Sequence, residues 1–256
     1  MADSSVLGRF LWYELLTADM KAAEQFYGAV VGWTVAPFDG SPQPYDMWIR
    51  PDGAPMGGVM SLPEGMNVPP HWAMYVGVTG LDGAVAEIER LGGSAMSPVI
   101  DVPTVGRMRT MKDPQGAMFS VYEPISPPQE PEGEPKLGDA SWRELYTTDA
   151  DAALTFYTTL FGWKPTEAMD MGEMGKYQMF GRTLPLGGMM KSPPEMAGAP
   201  PAWGIYFRVE DVHAGAERAK ANGGQVLNGP MEVPGGEWIV NCMDPQGGAF
   251  SLHHRK

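Results

Sequence analysis

The strongest constraint on this chain is that it writes one phrase twice. WYELLTADMKAAEQFY at 12–27 returns as WRELYTTDADAALTFY at 142–157, an offset of 142 − 12 = 130. The correspondence continues through Gly32-Trp33 with Gly162-Trp163 and Gly57-Gly58 with Gly187-Gly188. Trp72 and Tyr75 match Trp203 and Tyr206, and Gly92-Gly93 matches Gly223-Gly224. DPQGAMFS (113–120) returns as DPQGGAFS (244–251), where the offset has drifted to 244 − 113 = 131. A period this long, in two copies, implies duplicated domains, because solenoid repeats are several-fold shorter. Between the copies runs ISPPQEPEGEPK (125–136). Its prolines cannot donate to a sheet ladder and its acidic residues have little reason to be buried, so it reads as a linker. The expected organisation is a domain at 7–124, the linker at 125–136, and a second domain at 137–254.

Each half has a legible order of elements. Residues 10–17 alternate as a strand does, and a helix starts at Asp19, a good N-cap, with Ala22, Ala23, Phe26 and Val30 at helical spacing. Gly32 closes it, where a left-handed cap suits glycine. Strands are expected near 45–49 and 56–62. The pattern then restarts with a strand at 71–78, a helix at 81–93, and strands near 94–101, 105–112 and 117–122. The plan is strand-helix-strand-strand-strand, four times over.

Composition narrows the function classes. Hydrophobic residues are 43% and charged residues 19%, a globular balance. The net charge, 18 − 31 = −13, argues against a nucleic-acid partner, which would need clustered Lys and Arg. Cys242 is the single cysteine, so an intrachain disulfide and a Cys-rich zinc site are excluded, and it reads as a small strand residue. The start, MADSSVLGRF, lacks the plan of a signal peptide, and no apolar run is long enough to span a bilayer. A cytoplasmic location is expected. P-loop, Rossmann, H-E-x-x-H and G-x-S-x-G signatures are absent.

The fourfold βαβββ plan, with D-x-x-x-A-x-x-F-Y…G-W and later D-P-x-G-x-x-x-S, resembles the vicinal oxygen chelate superfamily of glyoxalases, bleomycin-resistance proteins and extradiol dioxygenases. The tandem form is similar to a group often labelled as 27 kDa antigens or hydroxylases. The resemblance implies an α+β fold of two tandem glyoxalase-like domains, each a pair of βαβββ units forming a cupped half-open barrel. It also implies a ligand in the cup, usually around a divalent metal held by His, Gln and Glu.

Carried over residue by residue, the metal positions fail. The first falls on Trp12 and Trp142, the second on Ala73 and Gly204, and the last on Ser120 and Ser251. Transition metals need three or four N, O or S ligands, and these residues do not supply them. The expectation is therefore no cofactor, with a displaced divalent-metal site built from Glu14, His71 or His253 as the alternative.

Alternate strand residues share a face, which puts Glu14 beside Trp12 and Glu144 beside Trp142. Each carboxylate reads either as a hydrogen-bond acceptor that holds the barrel closed or as a general base. They are the catalytic candidates. The ligand-binding candidates are Trp12, Trp72, Tyr75, Ser120, Trp142, Trp203, Tyr206 and Ser251, since flat aromatics suit planar ligands. Phe26-Tyr27 and Phe156-Tyr157 read as core, and DPQG reads as a turn without chemistry. The functional expectation is a metal-free binder of small aromatic or apolar molecules. Its rivals are a metal-dependent lyase or dioxygenase and a drug-sequestering resistance-type binder. Catalysis is left open, and the expected assembly is a monomer or homodimer.

Overall fold

A computed structural model describes residues 6–255, apart from 42, 64, 66–67, 129–132 and 197. The middle of the expected linker and the first five residues lie outside the described residues. The first half runs β1 (Phe10–Thr17), α1 (Met20–Val31), β2 (Thr34–Pro37), β3 (Tyr45–Ile49), β4 (Pro55–Ser61), β5 (His71–Gly77), α2 (Leu81–Arg90), β6 (Ser94–Ala95), β7 (Ile100–Val102), β8 (Gly106–Lys112) and β9 (Met118–Pro124). The second half runs β10 (Ala140–Thr147), α3 (Ala150–Phe161), β11 (Lys164–Asp170), β12 (Lys176–Gly181), β13 (Pro185–Lys191), β14 (Ala202–Arg208), α4 (Val212–Ala221), β15 (Gln225–Val233), β16 (Glu237–Met243) and β17 (Ala249–His254).

The caps read from sequence are in place. Asp19 and Asp149, both extended, accept from the Ala22 and Ala152 N–H groups, while Gly32 and Gly162 end their helices in the left-handed conformation. The strand β2 has no alternation to betray it, because its residues are exposed or half-exposed.

All four βαβββ modules close the same ladder, with the first strand parallel to the last. Thus β1 lies beside β4, β5 beside β9, β10 beside β13 and β14 beside β17. A parallel pair needs a crossover, and the helix of each module provides it. The other strand pairs within each module are antiparallel. The strands form a nine-stranded and an eight-stranded curled half-barrel sheet, one per sequence half.

Compact grouping follows the modules. Named only by where most of their residues fall along the sequence, a central unit takes residues 1–11, 74–134 and 143–203, and a flanking unit takes 12–73, 135–142 and 204–256. Each therefore draws on both copies of the repeat. In the flanking unit, α1 packs against β17: the Phe26 and Tyr27 rings lie 5.7 and 5.2 Å from Phe250. Tyr27 Oη donates to Asp244 Oδ2 (3.0 Å) and accepts from Trp72 Nε1 (3.0 Å). Asp244 Oδ1 accepts the Gln246 and Gly248 N–H groups. Gln246 then exchanges two hydrogen bonds with the backbone of Asp19.

The central unit repeats this joint with different residues. Phe156 and Tyr157 lie 6.2 and 5.4 Å from Phe119. Tyr157 Oη donates to Asp113 Oδ2 (3.0 Å) and accepts from Trp203 Nε1 (3.1 Å). Asp113 Oδ1 takes three N–H groups, from Gln115, Gly116 and Ala117. Gln115 exchanges two hydrogen bonds with the Asp149 backbone. Burial, reinforced by the aspartate charge, holds both tyrosine hydroxyls well above their ordinary pKa, so they stay protonated donors. DPQG is thus a turn and also the joint between modules.

Each unit also uses the lead-in of one half to cap the tryptophan of the other. Trp33 Nε1 donates to Gly138 O (3.0 Å) and Trp163 Nε1 to Gly8 O (2.8 Å). Both glycines have positive φ, and a Cβ there would stand 2.8–2.9 Å from the indole nitrogen. Among the described residues no helix is long and apolar enough to cross a membrane.

Candidate functional site

On β10 the residues alternate between two surroundings. Leu145 is fully buried against α3, so the strand's other face, free of helices, carries Trp142, Glu144 and Tyr146. By the same alternation β1 turns Trp12, Glu14 and Leu16 away from α1. Glu14 and Glu144 are 9% and 7% exposed, buried enough that each must be solvated by protein groups.

The repeated Gly-Gly pairs explain what stands beside these carboxylates. In register, Gly58 lies opposite Glu14 and Gly188 opposite Glu144. The missing side chains leave room for tyrosine: a Cβ on Gly58 would fall 2.1 Å from Tyr45 Oη, and one on Gly188 would fall 2.1 Å from Tyr177 Cζ. A tyrosine therefore lies across the helix-free face of each first module, next to its carboxylate. In the flanking unit Trp12 Nε1 donates to Tyr45 Oη at 2.6 Å. In the central unit Tyr146 Oη donates to Glu144 Oε2 at 2.5 Å.

A second pair of clusters sits on the later modules. Tyr75 lies opposite Ser120 in register, and Ser120 Oγ bonds Thr110 Oγ1 at 3.1 Å. Tyr206 lies opposite Ser251. Asn241 Nδ2 donates to Ser251 Oγ (2.7 Å) and to Tyr206 Oη (3.3 Å). Tyr75, Ser120, Tyr206 and Ser251 are thus assembled two and two.

Trp72 and Trp203 depart from the expectation that they line the ligand face. Each is three residues from its tyrosine partner, an odd number, so strand alternation puts it on the helix side. Trp72 lies among Tyr27, Trp33, Trp48 and Phe207, at 5.3, 5.8, 6.3 and 4.9 Å. Trp203 packs with Tyr157, Trp163 and Phe180. Both are core. Trp142 is half-buried in the flanking unit.

The flanking unit also holds a relay whose Ser141 and His253 are buried and whose Glu237 is half-buried. His253 Nε2–H donates to Glu237 Oε2 (3.0 Å), and Nδ1 accepts from the Ser141 hydroxyl (2.8 Å), which lies 3.3 Å from the Tyr206 carbonyl. Ser141 and His253 are each 6% exposed. Burial lowers the imidazole pKa more than Glu237 raises it, so the contact is a hydrogen bond to a neutral ring. The matched positions in the central unit are Leu11, Tyr122 and Gly106. Nothing in the sequence joins Ser141 to His253, and the repeat argues against a shared role. Burial lifts the Cys242 thiol to about 11, so it is protonated near neutrality.

The metal that the resemblance implies finds a poor donor set here. Trp12 spends its N–H on Tyr45, Ala73 and Gly204 offer no side-chain donor, and both serines are tied to Thr110 or Asn241. His71 Nδ1 bonds the Pro69 carbonyl. Among the described residues no three His, Cys, Asp or Glu converge as ligands. At the positions that the resemblance implies, the residues present do not fit its metal.

Comparison with known proteins follows the repeat. Residues 140–252 match the family described as Glyoxalase/Bleomycin resistance protein/Dioxygenase superfamily, and residues 13–122 match a Glyoxalase-like domain. The chain is 32% identical to "Putative glyoxylase CFP32" of Mycobacterium bovis, across 94% of this chain and 92% of that one. It is 28% identical to "Anthracycline biosynthesis protein DnrV" of Streptomyces peucetius, across 94% and 91%. Among solved structures it resembles a homoprotocatechuate 2,3-dioxygenase variant from B. fuscum. The TM-score is 0.70 at 15% identity, covering 100% of this chain and 73% of that one.

Proposed function

Because the chain belongs to the glyoxalase/bleomycin resistance protein/dioxygenase superfamily, we propose that it binds a small planar aromatic molecule on the helix-free strand faces without a metal. The observation that carries this reading is the repeated trio of carboxylate, tyrosine and glycine: Glu14, Tyr45 and Gly58, and Glu144, Tyr177 and Gly188. A glycine that lets a tyrosine lie flat beside a buried carboxylate makes an aromatic platform with one ionisable group at its edge. Such a surface suits a ring bearing a hydroxyl or an acidic C–H. Glu14 or Glu144 then accepts the proton, and the neighbouring tyrosine hydroxyl stabilises the charge left on the ligand. The relative named for anthracycline biosynthesis supports a fused-ring ligand class.

The experiment is a tryptophan-fluorescence titration with alizarin, a hydroxyanthraquinone, on chelator-treated and manganese-supplemented protein. Saturable quenching of equal affinity in both samples is expected. Trp12→Phe should remove part of the quenching and Trp142→Phe another part. Quenching only with manganese would replace this reading with a metalloenzyme. No quenching in either sample would sink the aromatic ligand class.

A further inference from the structure

The two units differ at one crevice that the proposed function does not use. In the central unit a cavity of about 310 Å³ opens between the start of α2 and the end of α3, lined by Leu7, Val78, Thr79, Gly83, Glu87 and Leu160 among others. In the flanking unit the matched residues include Val30 for Leu160 and Arg218 for Glu87, at offsets of 160 − 30 = 130 and 218 − 87 = 131. There Arg218 fills the place itself. Its guanidinium donates from Nη2 (3.1 Å) and Nε (3.4 Å) to the Val30 carbonyl in the last turn of α1. A cation at a helix C-terminus meets orphan carbonyls and the negative end of the dipole.

The central unit keeps the carbonyl and loses the cation. The Leu160 carbonyl in the last turn of α3 accepts no hydrogen bond among the described residues. Glu87 stands where Arg218 would, and it turns outward to an exposed i,i+3 pair with Arg90. Such exposed pairs are weak and readily exchanged. The crevice therefore offers an apolar wall from Leu7, Val78 and Leu160, a helix C-terminus and a carboxylate at its mouth.

We propose that this crevice binds a small alkylguanidinium. The guanidinium takes the position that Arg218 occupies in the flanking unit, its alkyl stem lies on the leucines, and Glu87 is its counter-ion. The occupant is a free small molecule, since the volume is at the low end for ligand pockets and the chain's −13 charge concentrates small cations.

The test is an amide NMR titration of the full chain with n-butylguanidinium, and with uncharged n-butylurea of the same shape. Saturable shifts confined to Leu7, residues 78–83 and Leu160 are expected, with a Kd on the order of 1 mM. The urea should bind about tenfold more weakly, since it lacks the charge-assisted bond. Glu87→Arg should fill the crevice from within and abolish the shifts. Should that variant misfold in a thermal melt, Glu87→Gln, weaker by about fivefold, reads the same contact. Arg218→Glu should open a second site, with new shifts around Val30 and Gly215. Equal binding of the urea, shifts undiminished by the Glu87 variants, or no new site in Arg218→Glu would each overturn the proposal.

Discussion

In the central unit Trp163 stacks over Phe180, with centroids 4.5 Å apart; in the flanking unit the matched ring is Trp48, 5.3 Å from Trp33. Phenylalanine has no polar atom to satisfy, whereas Trp48 is fully buried with its Nε1–H unpartnered among the described residues. Elsewhere the flanking unit has buried Ser141 and His253 and half-buried Glu237 where the central unit has Leu11, Tyr122 and Gly106. Yet the Tyr–Asp joints to DPQG match atom for atom. The duplicates share the side chains that hold helix to turn and the trio of carboxylate, tyrosine and glycine, and differ at single positions such as Trp48 against Phe180 and Ser141 against Leu11. A role read from the repeat is thus secure for the frame, and a role for one site needs evidence from its own unit.

The largest effect should come from the shared joint. Asp113→Ala and Asp244→Ala each leave a buried tyrosine hydroxyl and turn N–H groups without an acceptor. We expect each to cost about 3–5 kcal/mol in urea denaturation. The two losses should agree within about 1 kcal/mol if the joints are equivalent; a clear disparity would break the likeness. Next comes the aromatic exchange. Trp48→Phe copies the central unit and should leave stability unchanged or raise it by up to about 1 kcal/mol, because an unpartnered donor is removed. Phe180→Trp should lose about 1–3 kcal/mol by overpacking.

The smallest effect concerns pH and belongs to the flanking unit alone. His253 has a depressed folded pKa, so below about 6.5 the unfolded state binds more protons. Stability should fall as pH drops through that window, and His253→Gln should flatten the slope. Glu24 has the opposite sign. Burial, with the Asp46 carboxylate adding to it, raises its pKa despite Lys21. Its contribution is present at acid pH and lost as pH rises through the folded value, a trend that Glu24→Gln should remove. The matched residues Tyr122 and Leu154 give the central unit neither slope.

The modules were legible because their signals are local: Asp19 and Gly32 bracket a helix within fourteen residues, and the repeat certifies the reading with Asp149 and Gly162. The candidate site was legible in part. Glu14 and Glu144 stand out because the repeat keeps them in step. Tyr45 and Tyr177 were missed because the loops before them differ in length, so their offset is 177 − 45 = 132. Trp72 was drawn to the wrong face by its repeat with Trp203, although three residues from Tyr75 already implied the opposite side. Ser141 and His253 meet across 112 positions, and only the ladder brings them together.

The interleaving of the two halves also sets a timetable. During synthesis the aromatic face of α1 is finished at residue 31, but its cover, Phe250 on β17, is 250 − 31 = 219 residues later. At roughly 5–20 residues per second that interval is about 11–44 s. The central unit needs only residue 203 to be complete and can close while the flanking unit is still waiting. Helix α1 is thus sealed by β17, and during that interval Phe26 and Tyr27 lack the ring they finally pack against.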